Sequence, residues 1–332
     1  MTIERTVDIE TLFQAVTDDR PVDVVVTTHG LVRKFGKQRA VDGIDLVVPS
    51  GSVFGFLGPN GSGKTTTIRL ILGLLAANSG TVELFGEPMP QAAGRALPRV
   101  GAVVEGPAFF PFLSGDANLG RLQAIDGADN PRTAARRRGE ALERVGLTAA
   151  AGKPYRHYSM GMKQRLAIAS VLLRPRDLLI LDEPTNGLDP QGTREIRALI
   201  RQLNSDDTTV IVSSHLLSEI EQVCTHVGIM SRGRLIAQQS LDALRAARAP
   251  RLRVETTPRT VETARRAITG LGLAVEDAGA AAIEVAIGEV PVYIVTRILV
   301  ESGTDVLGLG LVRPGLEEIF VELTGAGFDV AG

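Results

Sequence analysis

Cysteine is nearly absent from the 332 residues: Cys224 stands alone. No disulfide can close within the chain, and the composition suits a reducing compartment. A single thiol near a helix end reads as a small buried hydrophobe rather than a nucleophile. Long apolar runs are missing too. The best candidate, Val171 to Leu181, is interrupted by Arg174, Arg176 and Asp177. It falls short of the roughly 18 uninterrupted apolar residues of a membrane helix. The start carries Glu4 and Arg5 and no apolar stretch, so it does not read as a secretory signal. Work at a membrane would need a separate partner that carries the membrane helices. An excess of one charge is also lacking. The 36 Lys and Arg against 38 Asp and Glu leave a net charge of −2, which gives no basic surplus for nucleic acid. The rest is ordinary: 44% apolar and 22% charged residues in a chain long enough for two domains.

The most informative segment is Gly58-Pro59-Asn60-Gly61-Ser62-Gly63-Lys64-Thr65. It fits the phosphate-binding pattern G-x-x-x-x-G-K-[ST] at every specified position. The apolar run Val53 to Leu57 before it reads as a buried strand, and Thr66 to Leu72 after it reads as a helix. Glycines in such a loop let successive backbone N–H groups converge on phosphates. Lys64 then reaches the terminal phosphates, and the Thr65 hydroxyl offers an oxygen to Mg²⁺. Thr66, which opens the helix, is counted with the nucleotide-binding residues.

The chain is read in five parts: an extension over 1–26, a nucleotide-binding domain over 27–245, a linker over 246–251, an accessory domain over 252–325 and a tail over 326–332. In the second part strand and helix signals alternate, as in a parallel α/β sheet. Val47 to Gly51 reads as a hairpin turn leading into the strand before the phosphate loop, and Ile229 to Ile236 as a terminal hairpin. The accessory domain reads β-α-β-β-α-β, the ferredoxin-like order. In it Ile283, Val285 and Ile287 alternate with Glu284 and Ala286 as a half-exposed strand does.

A second group of residues belongs with the phosphate loop. Leu178 to Leu181 is an apolar strand that ends in Asp182 and Glu183. Strand C-termini of a parallel sheet line the ligand crevice. There Asp182 would hold the magnesium shell and Glu183 would polarise a water for attack on the γ-phosphate. Asp189 before Pro190 is a helix N-cap followed by proline at the first helical position. His215 follows the β-branched strand 209–212 and is placed to contact the γ-phosphate; His29, His157 and His226 have no such context. Ser159 and Gly161 open a helix whose N-terminus can hold an anion.

Together these elements resemble the ATPase subunit of an ATP-binding cassette (ABC) transporter over about Thr28 to Gln239, with the motifs in that family's order. The resemblance implies a phosphate-loop ATPase fold: a mixed sheet with a helical signature subdomain, followed here by the small α+β domain. It implies ATP and Mg²⁺ as cofactors. It assigns Phe35 to adenine stacking and Lys64, Thr65, Asp182, Glu183 and His215 to ATP, metal and hydrolysis. Ser159 and Gly161 become the signature residues that close on the ATP of a second subunit, and Asp189 the acid that works across the dimer. The implied assembly is a head-to-tail pair of cassettes, identical or closely related, at the cytoplasmic face of the membrane with a separately encoded permease and no nucleic acid. Arg313 to Gly325 resembles the terminal motif of daunorubicin- and bacitracin-type resistance exporter ATPases, so the implied cargo is a drug, antibiotic or lipid-like compound.

The sequence departs from that family at two places. Glu105 stands where the family has glutamine; its carboxylate is still a hard oxygen ligand for Mg²⁺, with added negative charge beside the γ-phosphate. Tyr158, Met160 and Met162 replace the usual leucine, glycine and glutamine of the signature. Two other readings make different demands. A soluble cassette ATPase acting on ribosomes or DNA would carry paired cassettes or coiled-coil arms, and neither is present. A nucleotide-sensing module would bind ATP without releasing phosphate.

Overall fold

The computed structural model describes residues 23–106, 108–125, 131–246, 251–288, 290–312 and 315–324. Most of the expected N-terminal extension and linker, and all of the expected tail, lie outside the described residues. The chain divides into two compact units between Ser240 and Leu241, slightly before the boundary read from the sequence.

The first unit holds two sheets. Strands β1 (Val24–Phe35), β2 (Gln38–Ile44), β3 (Val47–Pro49), β4 (Val53–Leu57), β5 (Ser79–Leu84), β6 (Glu87–Met89) and β7 (Val100–Val103) come first. They are followed by β8 (Leu178–Asp182), β9 (Thr209–Ser214), β10 (His226–Ser231) and β11 (Arg234–Ser240). One sheet is antiparallel in the order β2-β1-β5-β6, with β3 also on β1. The other runs β11-β10-β4-β9-β8-β7, parallel except for the β10–β11 hairpin. The hairpin expected before β4 does not form: β3 pairs with β1 and β4 joins the second sheet. All five β4 residues are buried, as a strand covered on both faces requires, so β4 could not serve as the half-exposed arm of a hairpin. At this corner the Gly51 N–H donates to Thr209 Oγ1 at 2.9 Å.

This strand order builds the crevice. β9 lies between β4, which feeds the phosphate loop, and β8, which ends in Asp182. Phe54, Phe56, Ile68, Ile71, Leu178, Ile180 and Ile211 form the core beneath it. The helix Lys64–Ile71 rises from the loop, and Pro190–Ser205 buries Ile196, Leu199, Ile200 and Leu203 as its apolar spacing demands. The helices Gly115–Ile125, Pro131–Arg144 and Met160–Val171 pack on one another as a helical insertion between β7 and β8.

In the second unit β12 (Arg251–Glu255), β13 (Val275–Asp277), β14 (Ala282–Ala286) and β15 (Gly308–Val312) form one sheet. Its order is β13-β14-β12-β15 and every pairing is antiparallel. The helix Val261–Thr269 lies between β12 and β13 in sequence, and Val292–Glu301 between β14 and β15. The inward residues Leu252, Val254, Ile283 and Val285 pack with Ala264, Ile268, Val295 and Leu299 into a core of their own. Among the described residues no helix is long and apolar enough to cross a membrane.

Candidate nucleotide-binding site

The phosphate loop leaves β4 and is held in shape from outside. Gly63, the N-cap of its helix, has φ +105°, and a Cβ there would lie 2.4 Å from the Ala40 carbonyl oxygen. At Gly58 a Cβ would lie 2.5 Å from the Met230 carbonyl oxygen. Only glycine fits either position. The Gly233 N–H donates to the Ser62 carbonyl at 2.9 Å, and the Asp42 N–H donates to the Gly233 carbonyl at 2.8 Å. The β10–β11 turn therefore joins the loop to the antiparallel sheet.

Lys64 is buried, with its Nζ donating to the carbonyls of Gly58 at 2.6 Å and Pro59 at 3.3 Å. It also lies 3.4 Å from Glu183 Oε1. Burial pulls the Lys64 pKa down, while the charge of Glu183 and then of Asp182 opposes that shift. Thr65 Oγ1 donates to Asp182 Oδ2 at 2.8 Å. The other Asp182 oxygen accepts from Ser213 Oγ at 2.5 Å. Glu183 has φ +48°, and its Oε2 shares a 2.8 Å hydrogen bond with His215 Nδ1. The structure thus brings Lys64, Thr65, Asp182, Glu183 and His215 into one network across the ends of β4, β8 and β9.

The donor set fits a magnesium-bound triphosphate. The Ser62 hydroxyl is buried within the loop with no hydrogen-bond partner. The Thr65 hydroxyl and the Asp182 carboxylate are hard oxygens, and Mg²⁺ typically takes one or two protein oxygens, with the rest from phosphates and water. Among the described residues no group of three His, Cys, Asp or Glu is arranged to hold a metal alone.

Other expected residues lie outside this network. Glu105 has φ +61° and pairs its largely exposed carboxylate with Arg69. Phe35 ends β1 half exposed, with the Arg33 guanidinium 4.8 Å from its ring centre. Ser159 N-caps Met160–Val171, its Oγ accepting from the Met162 N–H at 3.2 Å. A Cβ on Gly161 would lie 3.9 Å from Leu188, so this helix start lies beside the segment that carries Asp189. Asp189 caps its own helix, accepting from the Gly192 N–H at 2.8 Å.

Three contributions were not legible in the sequence. Ser213 bridges the two acids, since its Oγ also accepts the Glu183 N–H at 2.8 Å. Glu219 takes the Thr185 hydroxyl at 2.5 Å and the Ser214 hydroxyl at 3.4 Å, tying the segment after Glu183 to the one before His215. Tyr158 is buried and donates to the Ala150 carbonyl at 2.7 Å. Burial pushes up its phenol pKa, so the hydroxyl stays a donor. Of these, the Ser213-Ser214 pair at a strand end and Tyr158 as a departure from the signature offered a sequence signal, but not the contacts they make.

The family description ABC transporter matches residues 41–186. The bacitracin transport ATP-binding protein BcrA of Bacillus licheniformis is 37% identical over 92% of this chain and 99% of its own. The daunorubicin resistance ATP-binding protein DrrA3 of Streptomyces coeruleorubidus is 35% identical over 91% of this chain and 96% of its own. Among solved structures, cbiO1 from Clostridium perfringens, part of the ABC transporter complex cbiONQ, superposes with TM-score 0.61. It is 29% identical and covers 68% of this chain and 91% of that one. An ATP-binding cassette in its ADP conformation shares the fold, with TM-score 0.60 and 22% identity over 66% of this chain and 92% of that one. The chain belongs to the ABC transporter family, as an ATP-binding subunit whose ATPase powers transport.

Proposed function

We propose that this subunit hydrolyses ATP with Glu183 as general base and drives a separately encoded permease that exports a drug-, antibiotic- or lipid-like compound. The observation that carries the chemical part is the position of Glu183, held between Lys64 at 3.4 Å and His215 at 2.8 Å. Thr65 and Asp182 would hold Mg²⁺, which when bound neutralises charge on the phosphates. Lys64 moves its ammonium from the loop carbonyls to the terminal phosphates. His215 keeps the Glu183 carboxylate oriented toward the attacking water. Glu105 would offer the metal a carboxylate whose Oε1 already pairs with Arg69.

The relatives named for bacitracin transport and daunorubicin resistance align over nearly their full length, which supports the cargo class. Family membership, together with a described chain that has no membrane-crossing helix, supports peripheral attachment to a permease at the cytoplasmic face. Two cassettes, identical or related, would place Ser159, Gly161 and Asp189 of one against the ATP of the other; Phe35 would stack on adenine. The β-α-β-β-α-β order and the interleaved sheet of the second unit support a ferredoxin-like accessory domain.

Glu183→Gln tests the reading. The variant retains ATP and forms a stable dimer on gel filtration, while phosphate release falls by about 100-fold or more. Normal turnover in Glu183→Gln would refute the assignment.

A further inference from the structure

Ser213 is wholly buried near the end of β9, opposite Asp182 in the β8–β9 register. Its hydroxyl donates to Asp182 Oδ1 at 2.5 Å and accepts the Glu183 N–H at 2.8 Å. One oxygen therefore fixes two consecutive residues with different tasks. On Asp182 it occupies one carboxylate oxygen and leaves Oδ2 toward Thr65 at 2.8 Å. On Glu183 it holds the amide of a residue at φ +48°. A glutamate in that left-handed region persists only where its surroundings fix it. This backbone turn aims the Glu183 carboxylate at Lys64 and His215.

We infer that Ser213 is a positioning residue of the ATPase, using one hydroxyl to set the metal-facing carboxylate of Asp182 and the backbone turn that aims Glu183. The inference rests on the roles proposed above for those two acids. Alanine at 213 keeps the strand but leaves the Glu183 amide and one Asp182 oxygen without this partner in a partly buried place. Asp182 can then swing away from Thr65, and Glu183 can relax toward an ordinary backbone conformation. Lys64 and the loop backbone, which Ser213 does not touch, keep their hold on nucleotide.

The test uses the full chain with Ser213→Ala and Ser213→Thr. Mn²⁺ binding to the ATP complex is read by electron paramagnetic resonance in a Glu183→Gln background, so that turnover plays no part. Ser213→Ala weakens Mn²⁺ binding and lowers kcat, each by roughly 10- to 100-fold, the usual size of an outer-shell loss. ATP affinity in EDTA stays near that of the unsubstituted protein, and the melting temperature falls by no more than a few degrees. Ser213→Thr, which keeps the hydroxyl, recovers most of both losses. Wild-type Mn²⁺ affinity and kcat in Ser213→Ala overturn the inference. So does a joint loss of metal binding, metal-free ATP binding and melting temperature, because the hydroxyl then only supports the fold. A Ser213→Thr variant that melts normally yet stays defective overturns it as well. If Glu183→Gln alone turns over ATP normally, the reading of the site falls and this inference with it. An inactive Glu183→Gln beside an unimpaired Ser213→Ala removes this inference alone.

Discussion

Lys64 is a buried charge whose neighbours offset the cost of burying it. It is 5% exposed, and burying an ammonium is costly without anionic company. Glu183 at 3.4 Å and Asp182 supply that company. Charge-assisted contacts contribute about 1.5–3 kcal/mol each, so Lys64→Ala should weaken ATP binding by roughly 10- to 100-fold. Titration with a fluorescent ATP analogue measures this, and unchanged affinity would contradict the assignment. Cys224 illustrates the opposite case. It is buried, a Cβ on Gly55 would lie 3.0 Å from its sulfur, and burial pushes its thiol pKa far up. The native protein should leave a thiol-specific dye unreacted at pH 8, and the denatured protein should react fully. Rapid labelling of the native chain would show that the strand–helix packing above Gly55 opens readily.

At the scale of elements, short side chains hold the helix ends. Asp189 accepts the Gly192 N–H at 2.8 Å, and Pro190 occupies the first helical position. Asp189→Ala removes the cap and should cost about 1 kcal/mol of stability, measured by urea unfolding. A cost near zero would mean that water satisfies the freed N–H equally well. Elements were legible where local chemistry decides them. The pattern around Gly58–Thr65 announced its strand, loop and helix, and the run Leu178–Leu181 announced a buried strand ending in two acids. Pairing was less legible. Val47–Gly51 has the composition of a hairpin turn, yet β3 and β4 enter different sheets, because partners distant in sequence compete for each strand. Glu105 was legible as a departure from glutamine, but its pairing with Arg69 depends on how the Lys64–Ile71 helix sits over the end of β7. Ser213 was hidden for the same reason: its bridging role exists only once β9 lies beside β8.

On the scale of the whole molecule, two cores bear separate loads. The first unit packs its crevice over Phe54, Phe56 and Ile180. The second has its own interior, in which Leu252 is 1% exposed. Leu252→Ala should destabilise the second unit by about 2–5 kcal/mol. ATP affinity at the first unit should stay within about two-fold, since the two cores share no residue. Differential scanning calorimetry and nucleotide titration of the same variant separate the two effects. A parallel fall in affinity would show that the units unfold as one.

The tie from Ser62 through Gly233 to Asp42 bears on how nucleotide is captured. The cradle is completed when the chain folds, by a turn far downstream in the sequence. Little of the binding free energy then goes into ordering backbone. The pace of capture should then be set by diffusion and charge rather than by a search through loop conformations.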